Sequence, residues 1–137
     1  MKGKTALTLM EQAIMLLILT LSAALCLQVF VWADTHSRQN TDRDHALTQL
    51  QSAADVLKAH NGDFSAAAAS FGGQAADEQW VIHWDENWNQ MPNHGTYQLL
   101  AVSQNMQTDY LGTSLLELRQ EDTVLCSLTV CWQEVLP

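Results

Sequence analysis

The chain has 137 residues, 47% of them hydrophobic and only 15% charged, against a usual charged share of about 25%. This length excludes a large multidomain enzyme, and the apolar share excludes a disordered chain. From Asp34 onward 14 Asp and Glu stand against 4 Lys and Arg, a net charge of −10, so no direct nucleic acid binding is expected of the folded part.

Residues 13–33 (AIMLLILTLSAALCLQVFVWA) form an uncharged run of 21 residues. At a helical rise of 1.5 Å it covers about 31 Å, the thickness of a hydrocarbon core. Lys2 and Lys4 precede the run and Asp34 follows it. The positive-inside rule therefore places the short amino end in the cytoplasm and the acidic part outside, a single-pass signal-anchor topology in the cell membrane. A cleaved signal peptide competes, because Val31 and Ala33 resemble a small-residue cleavage site. The run exceeds the usual apolar length of about 7 to 15 residues, and retention is the favoured reading.

Glu11 is not explained by topology. A carboxylate so close to an apolar run costs insertion energy, about 2.5 to 3.5 kcal/mol at mid-bilayer and less at the interface. Taken alone, it reads as an interfacial charge near a helix start, where the macrodipole favours it. Its neighbours change that reading. Behind a basic leader stand Ala6, Leu7, Thr8, Leu9, Met10 and Glu11, running into the apolar stretch. This order resembles the amino terminus of type IV pilins and pseudopilins, closely over about 28 residues and elsewhere only in layout.

The resemblance implies a prepilin leader at 1–6, cut by a prepilin peptidase between Ala6 and Leu7, with N-methylation of Leu7. It implies that Glu11, then the fifth residue, pairs with the terminal amine of an adjacent subunit; two opposite charges leaving water together lose less than either alone. The implied partners are other pilin or pseudopilin subunits, the prepilin peptidase, a membrane assembly platform and the lipid bilayer, and the implied destination is a cell-surface filament. Ala6 stands where the family usually has Gly, and Thr20 and Gln28 stand where major pilins often carry a helix-loosening Gly and Pro. These departures point to a minor pilin or pseudopilin.

After the transmembrane, filament-core segment at 7–33, residues 34–62 contain no Pro, and Leu47, Leu50, Ala54 and Leu57 form a helical stripe. Asn61-Gly62 supplies a stop, with Lys58 and His60 in the last turn. A helix continuous from Leu7 to His60 would extend about 80 Å, giving a pilin-like lollipop; a break within Asp34–Asp44 is the alternative. Residues 63–78 link helix to sheet. There Asp63, as a cap, and Gly72-Gly73 allow a short helix, and a loop is equally consistent.

From Gln79 the period becomes two. Trp80, Ile82 and Trp84 share one strand face, ENWNQMPNHG is a polar turn, and YQLLAVSQ is a second strand. SLLELRQ and TVLCSLTVCWQEV flank Glu121-Asp122 as a hairpin, with Val124, Cys126, Leu128, Val130 and Trp132 on one apolar face. Five residues of strand between Cys126 and Cys131 span about 16 Å, too far for a disulfide, and their odd separation puts the two thiols on opposite faces. The fold class is α+β: a long helix, half transmembrane and half amphipathic, packed on an antiparallel sheet of about four strands at 79–137.

Catalytic signatures are lacking, and neither enzyme activity nor a cofactor is expected. The five histidines are scattered; His83 and Asp85 share a strand face but are two ligands only, so no metal site is assigned. Trp80 and Trp84 read as core. Trp88, in the polar turn, is a candidate partner contact, where an exposed indole could stack on a sugar or a protein. Two functions follow: a structural subunit of a type IV pilus-like, secretion or competence filament, or a signal-anchored extracytoplasmic module binding protein or carbohydrate outside any filament.

Overall fold

The computed structural model describes residues 2–104 and 110–134, and the chain divides into two compact units between Thr41 and Asp42. A single helix, α1 (Lys2–Ala59), makes up the first and enters the second. It is unbroken through Asp34–Asp44, the stretch where the sequence leaves a break open. That stretch holds neither Gly nor Pro, and an Asp34–Arg38 ion pair of 3.1 Å joins consecutive turns. Both partners are exposed, so the pair contributes only tenths of a kcal/mol.

In the first unit every described residue of α1 up to Thr41 is exposed. The exposed set includes Leu7, Met10, Ile14, Leu19, Leu25, Phe30 and Trp32. The Thr20 hydroxyl donates to the carbonyls of Leu16 (3.0 Å) and Leu17 (2.9 Å), and that of Thr35 to Val31 (2.9 Å). Turned back on the helix, these hydroxyls need no water, the condition for burying them in lipid. The helix is long and apolar enough to cross a membrane.

In the second unit α1 ends as the residues dictate. Asn61 and Gly62 take left-handed conformations (φ 52° and 80°). The Gly62 amide donates to the Leu57 carbonyl at 2.9 Å and that of Asn61 to Lys58 at 3.1 Å, the paired bonds of a Schellman stop. A short helix, α2 (Phe64–Phe71), follows. Asp63 caps it, its carboxylate accepting from the amides of Ser65 (3.0 Å) and Ala66 (3.2 Å), so the linker is helical over these residues.

Six antiparallel strands follow: β1 (Gln74–Ala76), β2 (Gln79–Trp84), β3 (Gln90–Met91), β4 (Tyr97–Gln104), β5 (Leu111–Gln120) and β6 (Thr123–Gln133). Their order is β1-β2-β4-β5-β6, with β3 also paired to β2. The four longer strands are those expected from the alternation. β1 and β3 are too short for a periodic signal, and the expected polar turn is partly strand because Met91 and Gln90 pair with His83 and Trp84.

The core lies between the sheet and the carboxy-terminal part of α1. Cross-strand rows run Trp80–Ala101–Leu116–Leu128 and Ile82–Leu99–Leu118–Cys126. Facing them from α1 are Ala46, Leu50, Ala53, Ala54 and Leu57, all buried. Leu47, expected in the stripe, is 42% exposed. Alanines make up much of the buried set on α1, and Leu47 lies one position beyond the buried Ala46.

The apolar face of β6 also needs correction. Leu118 pairs with Cys126 but Arg119 pairs with Val124, so Leu125 is an extra residue in a β-bulge. The bulge shifts the alternation by one. Val124, expected beside Cys126, is exposed at 46%, whereas Cys126 and Leu128 pack against the core and Val130 and Trp132 are buried. A Cβ at Gly62 or Gly112 would collide with the Trp132 ring, so glycine at both positions makes room for the indole.

Leu128 and Thr129 test this register. Leu128 is half-buried and packs against the core, while Thr129 is exposed. Leu128→Ala is expected to lower stability by about 1 to 3 kcal/mol, the cost of truncating a half-buried leucine. Thr129→Ala should change it by under about 0.5 kcal/mol. Denaturant melts followed by tryptophan fluorescence measure both, and equal shifts would disprove the register.

Candidate functional site

Ala6, Leu7 and Glu11 all lie on α1 and are exposed. The helix already starts at Lys2, so the Ala6–Leu7 bond sits in its first two turns. A peptidase needs extended backbone, and the end of a helix is where unwinding costs least. Nothing lies within 4 Å of the position a Cβ would occupy at Gly3. Glu11 forms no ion pair among the described residues. Lys4, seven residues back, is about 10 Å away along the axis.

In the head, Trp88 has a left-handed backbone (φ 63°), costly for a bulky residue. Asp85 holds it there. Its carboxylate accepts from the amides of Asn87 (2.8 Å) and Asn89 (2.9 Å) and from the Asn89 side chain (3.2 Å), while the Trp88 amide donates to the Asp85 carbonyl (3.1 Å). The hydrogen bond from the Asn89 amide leads the causes that hold the Asp85 carboxyl below its usual range.

The Trp88 indole stacks on Tyr97 (centroids 4.0 Å, 13° between planes) and meets His45 at 5.9 Å and Trp84 at 6.1 Å. The ring is half-buried and packs against the core. Trp80 and Trp84 are fully buried. Tyr97, beneath Trp88, has its phenol pushed up by burial and then by the Asp42 and Glu86 carboxylates. Sequence reasoning misses His45 and Tyr97 as partners of Trp88; the only hint is Asp85 with Asn87 and Asn89, a spacing that suits a turn capped by a carboxylate.

Asp85, expected beside His83, lies beyond the end of β2 with its carboxylate committed to its own turn. His83 instead meets His94, ring centroids 6.3 Å apart and planes tilted by 55°. Burial, then the His94 charge, lowers the His83 pKa. Cys126 is partly buried and Cys131 exposed, both free thiols; burial raises the Cys126 pKa, with Arg43 opposing. Among the described residues no group of three or more His, Cys, Asp or Glu side chains is placed to hold a metal ion. No family model, curated protein or solved structure matches this chain.

Proposed function

We propose that the chain is a structural subunit, a minor pilin or pseudopilin, of a type IV pilus-like or type II secretion or competence-like filament. In this reading it is inserted once in the cell membrane by α1, amino end cytoplasmic and head extracytoplasmic, and enters the filament by packing of α1 against the same helix of its neighbours. The observation that carries the reading is the ordered run Ala6 to Glu11 opening directly into an apolar helix with no buried side chain. An apolar surface of that extent requires lipid or other helices around it. The α+β head, built on the outer part of the same helix, has the layout the family resemblance implies. Glu11 in this reading is the assembly residue, Ala6 and Leu7 the processing residues.

The test is the mature amino terminus. Protein made beside a prepilin peptidase should begin at Leu7 and carry one added methyl group, read by intact mass and terminal sequencing. Ala6→Gly should not slow the cut; a bulky residue at position 6 should abolish it. Recovery of only the full chain, or of a chain starting at Asp34, would leave the signal-anchored binding module or a secreted head in its place.

A further inference from the structure

The sheet face turned away from α1 carries a group of donors that neither the filament role nor the core uses. His83 alternates with the buried Ile82 and Trp84 on β2, so its imidazole lies on the outer face. Met91, on β3, is its direct cross-strand partner. Directly opposed residues share a face, with Cβ atoms about 4.5 to 5.5 Å apart, and Met91 is 44% exposed. His94 follows three residues later and brings a second imidazole to 6.3 Å from the first.

The segment between Met91 and His94 is held in place. The Gln74 side-chain amide donates to the Pro92 carbonyl at 2.9 Å and to the Asn93 side-chain oxygen at 3.3 Å, tying this turn to β1. With metal–nitrogen bonds of about 2.0 to 2.1 Å, two imidazoles on one ion have centroids roughly 5 to 6.5 Å apart. The observed separation is within that range. The rings are tilted and not stacked, so neither face is taken up by the other.

We propose that His83, Met91 and His94 form a binding site for a monovalent copper ion. The donor set decides the metal: two imidazoles and a thioether, with the nearest carboxylate in sequence, Asp85, bound to its own turn. Thioether sulfur selects copper(I) over the hard and borderline divalent ions. No electron transfer is involved; the ion binds in its reduced state and leaves in it. Three ligands on an exposed surface suit reversible capture better than permanent retention.

The test uses the full chain in detergent micelles, with silver(I) as a redox-inert probe and residue-resolved NMR of methionine methyl and histidine ring signals, which separates this site from the free thiols. One equivalent beyond those consumed by the cysteines should move the Met91 methyl and both the His83 and His94 rings together. In competition with a copper(I) chelator, His94→Gln and Met91→Leu, at exposed positions where folding is not at stake, should each weaken one binding event tenfold or more. Met91→Leu should leave weak zinc binding unchanged. A stationary Met91 methyl under silver(I), or copper affinity unaltered in His94→Gln, would overturn the site. Loss of zinc and copper binding in equal measure in Met91→Leu would overturn the choice of metal.

Discussion

Trp80→Ala lowers the stability of the head by about 3 to 5 kcal/mol, the range for removing a fully buried aromatic side chain. Three losses combine. The indole is wholly buried between sheet and helix, it meets Phe71 of α2 edge-on at 6.1 Å, and its Nε1 donates to the Gly72 carbonyl at 2.9 Å. The last two contacts join α2 to the sheet, so the variant leaves a cavity and an unpaired carbonyl where α2 docks. Against a total of about 5 to 15 kcal/mol, the loss leaves a small reserve. Trp80→Phe, keeping most of the apolar volume but not the hydrogen bond, should lie between it and the native chain. Urea melts followed by circular dichroism measure all three; a drop under about 1 kcal/mol in Trp80→Ala would mean that this indole is not central to the core.

Glu11→Ala should cut recovery of the subunit in sheared filaments, or in crosslinks to neighbouring subunits, about tenfold or more, while membrane insertion, processing at Leu7 and the melting of the head stay as in the native chain. Glu11 is exposed on α1, among the described residues it forms no ion pair, and it lies outside the unit that contains the core. Removing it therefore takes nothing from folding, and insertion becomes slightly more favourable. Assembly loses the charge that would meet a neighbour's terminal amine as both leave water. Equal incorporation of mutant and native chains would reject the pairing role.

Much of the fold is legible where the sequence has a period. Trp80, Ile82 and Trp84 alternate so regularly that their strand and its buried face follow directly, and Asn61-Gly62 marks the end of α1 because only a residue tolerant of positive φ serves there. The errors fall where a single residue changes the phase. Leu47 is more apolar than Ala46 or Ala53, yet the alanines are buried and Leu47 is exposed. Leu125 bulges out of β6 and turns Val124 to solvent, a displacement that no pattern of apolar letters records. Trp88 follows its turn into the cluster with Tyr97, at the start of the next long strand, and His45, far from it in sequence. The residues proposed for processing and assembly rest on an ordered pattern alone, since the groups they would meet belong to other molecules.

The strand order has a kinetic consequence. Apart from the short β3, each strand pairs with the next along the chain, so the sheet is built almost entirely from near-neighbour contacts that close small loops. The helix face from Ala46 to Leu57 must instead find Leu116 and Trp132, roughly 60 to 85 residues further on, and contacts of such separation are the slow ones. On contact order alone, docking of the helix against β5 and β6 is expected to follow pairing of the strands. Until it happens Trp80, Leu99 and Leu116 face water as an open apolar surface, and that interval is when the chain is most exposed to aggregation.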